Sequence, residues 1–259
     1  MTFKPDSKLA HSVVPAANVE ARVKNARPSL LIMHYTGMSS AAKAIDWLAR
    51  AESRVSCHYV IADDGTITQM VPEAMRAWHA GVSYWRGERD INSHSIGIEI
   101  QNPGHEHGYP DFPRAQMDAV IALGRDIVKR NRMRADGVLA HSDVAPERKI
   151  DPGEKFNWAE LARHGLGEWV RASPVRDGDE VYCAGMQGDA ILDAQRLLAA
   201  YGYDIAPTGT FDATMGKVLR AFQLHFRPRR VDGLLDRSTL STLTRLVDAA
   251  DRMPAAGVA

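Results

Sequence analysis

The spacing of apolar residues divides the chain into two stretches of different character. In the first, short apolar runs alternate with one or two helical patterns. Leu30, Leu31, Ile32 and Met33 form a run that ends on His34, Tyr35 and Thr36, which reads as a buried strand over 29–36. Ser39 and Ser40 are N-cap candidates for a helix over 41–51 that carries Ile45, Trp47 and Leu48. Two β-prone runs, 58–61 and 66–71, flank Asp64-Gly65, a hairpin signal. Residues 95–100 alternate as a strand does. Residues 113–131 set Met117, Val120, Ile121, Ile127 and Val128 on one helical face, with Pro113 suited to the first turn. Val138 to His141 is a further short strand. Residues 1–28, broken by Pro5, Pro15 and Pro28, are expected to wrap the surface.

This order predicts an α/β domain over 1–172, with a mixed central sheet flanked by helices. Residues 173–181 read as a linker. Beyond them the period becomes wholly helical: Ile191, Leu192, Leu197 and Leu198, then Val218, Leu219, Phe222 and Phe226, then Leu240, Leu243, Leu246 and Val247. Glycine-containing turns at 202–209 and at Asp232-Gly233 separate them. The prediction for 182–259 is a small three-helix domain.

Composition narrows the partners. The 259 residues hold 32 Lys plus Arg against 32 Asp plus Glu, so there is no global basic field to attract nucleic acid or an anionic membrane. No apolar run approaches the ~18 residues of a membrane span, so no membrane insertion is expected. The first residues lack a signal-peptide apolar core, which places the chain as written in the cytoplasm. A removed leader would move it to the periplasm or envelope. Cys57 and Cys183 give no disulfide framework and read as two free thiols.

Candidate chemistry concentrates in 141–153, which opens on His141 at a strand end and closes on Asp151 before Pro152-Gly153. With His34, these make two imidazoles and one carboxylate, a set that leaves one zinc position open for water. The same set holds iron in some oxygenases. A strand-end His is ordinarily a surface or core residue, and Asp before Pro-Gly is ordinarily a turn former.

The surrounding motifs decide between these readings. His141 to Gly153 resembles the signature of the type-2 N-acetylmuramoyl-L-alanine amidases, the fold family that includes phage lysozyme-amidases and animal peptidoglycan-recognition proteins. Leu31 to Thr36, Val55 to Ile61 with Asp64-Gly65, Trp78-His79-Ala80-Gly81 and Asn92 to Glu99 match further segments in the same order, and the resemblance spans about 28–165. It implies one zinc ion on His34, His141 and Asp151. It also implies Glu99 as general base and Lys149 as the cation that steadies the oxyanion. The chemistry suits these types: zinc brings the pKa of a water to roughly 7, a carboxylate can carry its proton to the leaving amine, and one oxyanion donor is worth about 3–4 kcal/mol. Cys57 stands where phage relatives carry Tyr and reads as a buried structural thiol.

Trp78, His79, Trp85 and Asn92 are candidate substrate contacts, since aromatic faces and polar tips grip sugars and peptides; the two indoles could equally be core. Asn102 and Arg148 are further candidates, Arg148 for a stem-peptide carboxylate. His58 is expected in the core or behind the site, and His94, His105 and His107 in solvent. Arg227, Pro228, Arg229 and Arg230 read as a solvated surface.

Residues 186–247 resemble the three-helix peptidoglycan-binding domain found beside cell-wall hydrolases. The matching segments are Ile191 to Leu198, Tyr201-Gly202-Tyr203, Gly209 to Asp212, Ala221 to Gln223 and Val231 to Asp236. Such a module would hold an enzyme on its polymer. The implied partner is peptidoglycan or a muropeptide, and the implied reaction is hydrolysis of the bond between N-acetylmuramic acid and L-alanine. Two alternatives remain: a cytosolic recycling amidase for 1,6-anhydromuramoyl peptides, and a non-catalytic recognition protein.

Overall fold

The computed structural model describes residues 3–176 and 178–252. Residues 1, 2, 177 and 253–259, among them one position of the expected linker and the end of the expected helical domain, lie outside the described residues.

In chain order the strands are β1 (Ser12–Val13), β2 (Val19–Ala21), β3 (Leu30–Tyr35), β4 (Tyr59–Ile61), β5 (Ile67–Gln69), β6 (Met75–Ala77), β7 (Ser95–Ile100), β8 (Val138–Ala140), β9 (Val181–Tyr182) and β10 (Leu235–Asp236). The α-helices are α1 (Ala41–Ala49), α2 (Ile91–His94), α3 (Arg114–Asn131), α4 (His141–Val144), α5 (Trp158–Arg163), α6 (Asp189–Tyr201), α7 (Ala213–Phe226) and α8 (Arg237–Asp251). Six strands form the central sheet in the order β1-β5-β4-β7-β3-β8. Only the β4–β5 hairpin is antiparallel. A mostly parallel sheet is covered on both faces, and this explains why Leu31, Ile32 and Met33 are all fully buried.

The N-terminal segment does more than wrap the surface. β1 extends the sheet beside β5, and β2 pairs with β6. Arg22, one residue past β2, is 5% exposed. Its guanidinium donates to the carbonyls of Glu73, Asn92, Ser93 and Ser95. Burial pushes Arg22 down to about 10, and the acceptors make its charge tolerable there. These bonds secure the entry into β7.

The two faces of the sheet have different covers. Leu31 and Met33 pack with Met117, Val120 and Leu123 of α3. Ile32 and Leu139 face the other way and join one apolar cluster with Ile191, Leu198, Val218 and Phe222 of the C-terminal helices. The C-terminal domain therefore shares one continuous core with this face of the sheet, meeting the first domain where α7 packs on α4. A large apolar side chain buried this way contributes about 1.5–3 kcal/mol, and pulling the domain away would expose both sides of the seam. The segment read as a linker is fastened too: Ser173 N–H donates to Thr242 Oγ1 and Ser238 Oγ to Ser173 O.

Two glutamines shape the C-terminal domain. Gln195 Nε2 donates to Thr210 O and its Oε1 accepts from Gly209 N–H. Gln223 does the same to Leu234 O and Gly233 N–H. Each side chain satisfies backbone groups of the turn that follows its own helix. Arg227 departs from the expected solvated surface. It is 2% exposed and pairs with Asp236 at 2.8 Å and Asp232 at 3.1 Å. Asp232 and Asp236 flank the turn at Gly233 that folds back onto it, so a count of neighbouring basic residues misjudges it. Cys57 is buried and Cys183 exposed, both as free thiols. Among the described residues, no helix is long and apolar enough to cross a membrane.

Candidate metal centre

His34 and Glu99 come from adjacent parallel strands and are register partners, so both side chains leave the sheet on the same face. His141 follows β8 on the other side of β3, as the first residue of α4. Asp151 arrives on the loop after α4, and its backbone carbonyl accepts from Ser142 N–H at 3.0 Å. Thus one short turn carries His141 and also holds Asp151.

The three candidate ligands converge. His34 Nδ1 lies 2.9 Å from His141 Nδ1 and 3.2 Å from Asp151 Oδ2, and His141 Nδ1 lies 3.0 Å from the same oxygen. All three residues are at most 7% exposed. The outer ring nitrogens are engaged as well: His141 Nε2 reaches Ala80 O at 3.2 Å, and His34 Nε2 reaches His79 Nδ1 at 3.0 Å. With its proton on Nε2, toward the Ala80 carbonyl, His141 presents a lone pair from Nδ1. His34 has the same arrangement when it donates to His79, whose Nε2 reaches Ser95 Oγ at 3.1 Å. In these tautomers three acceptor atoms face one another, an arrangement suited to a cation. Ligands about 2.0–2.1 Å from a tetrahedral zinc lie about 3.3 Å apart, and the three edges here are close to that. Among the described residues this is the one such group of His, Cys, Asp and Glu side chains.

Electrostatics agrees with ligation. Burial, helped by the neighbouring His141, pushes His34 down to about 4, so it stays a neutral donor of its lone pair. Burial works to raise Asp151, but His141 and His34 hold it well below the usual carboxylate range. Burial, with Asp151 nearby, pushes Glu99 well above its ordinary value. Glu99 Oε2 is buried without a hydrogen-bond partner.

These residues lie in a cleft of about 640 Å³ whose lining includes Glu99, Lys149, Trp78, Arg148, Tyr35 and Trp47. Of the candidate substrate contacts, Trp78 and Arg148 form part of the wall. Arg148 is fastened by its guanidinium to the carbonyls of Val82 and Ala80. It crosses Gly81, where a Cβ would come within 2.7 Å of Arg148 Nη2. His79 also borders the cleft, but its ring lies behind His34. Room for that ring comes from Gly97, where a Cβ would fall 2.5 Å from His79 Cγ. Asn92 Oδ1 accepts from His79 N–H at 3.0 Å and Ala80 N–H at 2.8 Å, so it shapes the strip that meets both histidines. Asn102 is buried and braces its own loop through Pro110 O and Gly104 N–H. Trp85 lies outside the cleft, in the seam between the domains, edge-on to Tyr201 and Tyr203. His58 is fully buried; its Nδ1 accepts from Gly97 N–H at 3.0 Å.

Sequence reasoning passed over several wall residues. Trp47, 41% exposed, sits beside the buried Ala44 and Leu48 on α1. A tryptophan one step off an apolar stripe is the available signal. His105, expected in solvent, instead pairs with Glu154 at 3.0 Å, stacks on Tyr109 and approaches Tyr35 Oη at 3.2 Å. No local pattern marks it, because two of the three partners, Glu154 and Tyr35, come from elsewhere in the chain.

Comparison with known proteins agrees with this geometry. Residues 24–154 match the family profile described as N-acetylmuramoyl-L-alanine amidase, and residues 187–243 one described as a peptidoglycan binding domain. The N-acetylmuramoyl-L-alanine amidase AmiD of Escherichia coli K12 is 36% identical over 247 residues, 88% of this chain and 86% of that protein. The 1,6-anhydro-N-acetylmuramyl-L-alanine amidase AmpD of Enterobacter cloacae is 32% identical over 163 residues, 56% of this chain and 85% of its own length. A solved complex of E. coli AmiD with the substrate anhydro-N-acetylmuramic acid-L-Ala-D-gamma-Glu-L-Lys superposes with a TM-score of 0.74 at 33% identity, covering 90% of this chain and 94% of that one. The chain belongs to the N-acetylmuramoyl-L-alanine amidase family.

Proposed function

We propose that this chain is a zinc-dependent amidase that hydrolyses the bond between the lactyl group of N-acetylmuramic acid and L-alanine. In this reading His34, His141 and Asp151 hold the metal, Glu99 moves the proton and Lys149 steadies the oxyanion. The observation that carries it is the convergence of His34 Nδ1, His141 Nδ1 and Asp151 Oδ2 to within 3.2 Å of one another, in a cleft shared with Glu99, whose Oε2 is buried without a hydrogen-bond partner. A zinc ion there supplies Lewis acidity, which activates water at neutral pH and polarises the amide carbonyl.

The protein's own groups account for the rest. Glu99 sits beside His34 on the next strand, where it can take a proton from the attacking water and return it to the leaving nitrogen. Its raised proton affinity suits that double duty, because a carboxyl held near its ordinary value would be a weak base at neutral pH. Lys149, two residues before Asp151, lines the cleft, and in this reading its positive charge steadies the carbonyl oxygen as it becomes an anion. Trp47, Trp78 and Tyr35 give the walls aromatic surface suited to a sugar ring and its lactyl arm.

A soluble anhydromuramoyl peptide is within this reading, because the similar AmiD is solved with such a substrate. The C-terminal match to a peptidoglycan binding domain favours polymer as well. The test is digestion of intact sacculi and of purified anhydromuramoyl tripeptide side by side, with mass analysis. Release of a peptide with a free L-alanine amine is the expected product. Cleavage at any other bond, or none in either digest, overturns the reading.

A further inference from the structure

Asp143, two residues after the ligand His141, is 1% exposed and makes no approach to the cleft. Its partners lie in the C-terminal domain. Tyr203 Oη donates to Asp143 Oδ1 at 2.7 Å, and His225 Nδ1 donates to Oδ2 at 2.7 Å. Ala140 N–H donates to the same Oδ2 at 2.8 Å. Both distant donors are themselves held in place. The His225 ring stacks on Trp158 at 3.8 Å, and the Tyr203 ring meets Trp85 edge-on at 5.1 Å. His225 and Tyr203 are each at most 2% exposed.

The position of this cluster gives it a functional consequence. α4 spans only His141–Val144, too short to be rigid by its own hydrogen bonds. It nevertheless carries one ligand and holds another, since Ser142 N–H donates to Asp151 O at 3.0 Å. Two of the three ligand side chains therefore depend on where this one turn sits. Asp143 anchors the turn, and two of its three donors are 60 and 82 residues away.

We propose that Tyr203 and His225 are positioning residues of the metal centre: through Asp143 they set the α4 turn, so the C-terminal domain is part of the frame of the hydrolytic site and not only a wall-binding module. This rests on the metal reading above. Partners behind a ligand commonly alter metal affinity about 10–100-fold when they touch the ligand itself. One step further out, the expected loss is about three- to tenfold.

The experiment uses the full chain as Tyr203→Phe, His225→Gln and a control, Arg86→Gln. Arg86 bonds across the same seam to Tyr201 O at 2.9 Å, and within its own domain to Asp136 Oδ2 at 2.7 Å, without touching Asp143. Zinc affinity is measured by chelator competition, the melting temperature on zinc-free protein, and turnover on a soluble muramoyl tripeptide at saturating zinc. Tyr203→Phe and His225→Gln should weaken zinc binding by about three- to tenfold, while Arg86→Gln lowers the melting temperature and leaves zinc affinity within about twofold. Unchanged affinity in Tyr203→Phe and His225→Gln overturns the proposal, as does an equal loss in Arg86→Gln. Should His225→Gln not fold, Tyr203→Phe decides, because it keeps the ring and removes one oxygen. A wild type with no zinc site at all would instead bring down the metal reading; zinc binding that His141→Ala abolishes keeps that reading intact whatever the seam variants do.

Discussion

Two buried clusters in this protein have nearly the same composition and opposite meanings. At the cleft, Asp151 meets His34 and His141; at the seam, Asp143 meets His225 and Tyr203. All five of these charged or imidazole groups are at most 7% exposed. At the seam each oxygen of the Asp143 carboxylate receives an N–H or O–H donor, so the carboxylate is satisfied as it stands. At the cleft the outer ring nitrogens reach Ala80 O and His79, and with the protons there Asp151 faces two lone pairs. One cluster is supplied with donors, while the other brings three potential ligand atoms within 3.2 Å of one another. The direction of the donors, and not residue type or burial, distinguishes a candidate metal site from a structural ion cluster.

The largest expected effect tests that distinction directly. His141→Ala should reduce zinc from about one per chain to background, whereas Asp143→Asn should still fill when zinc is supplied in excess. Elemental analysis after gel filtration checks both, and an Asp143→Asn protein as empty as Asp151→Asn would erase the difference between the clusters. Next is Glu99→Gln, expected to lower turnover roughly 100-fold or more with zinc retained. Full activity would remove Glu99 from the chemistry, and lost zinc would move it into the ligand set.

Gly97→Ala comes third and sharpens the role of the groups behind the ligands. The added methyl must displace His79, which supports His34. The expected cost is about 1–3 kcal/mol of stability and roughly tenfold in zinc affinity, read by urea unfolding and chelator competition. Unchanged affinity would show that His34 does not depend on His79.

The smallest effect belongs to the seam. Glu168 accepts from Tyr201 Oη at 3.3 Å. Burial, with Asp136 adding repulsion against the attraction of Arg86 and Arg134, pushes it up to about 7. A carboxyl that holds its proton more tightly when folded contributes stability at low pH and loses it as pH rises from about 4.5 toward 7. Glu168→Gln should therefore melt about 1–3 °C above wild type at pH 8 and level with it below the unfolded value, at about pH 4. Equal melting curves at both values would mean the group is solvated.

Much of the frame was legible before any coordinates. The apolar run ending at His34, the hairpin at Asp64-Gly65, the alternation through Glu99 and the long face of α3 all appear near their expected bounds. The helices of the C-terminal domain do as well. Those features depend on side-chain period and turn chemistry, which neighbouring residues dictate. Trp85 and Arg227 were harder. An indole or a guanidinium looks alike in sequence whether it faces a ligand, a core or water, and Trp85 meets Tyr201 and Tyr203 more than a hundred residues later.

The sequence by itself determined the elements, the order of the amidase segments and the identities of the three candidate ligands. Only the tertiary structure decided that parallel pairing of β3 and β7 sets His34 beside Glu99, and that Gly97 makes room for His79. It also decided that the C-terminal helices join one apolar core with Ile32 and Leu139 and reach Asp143. The physical reason is distance along the chain. Local propensity acts over a few residues, whereas His34 and His141 are 107 apart and His225 and Asp143 are 82 apart. Their meeting depends on which apolar faces bury each other, and that choice is made by the whole core at once.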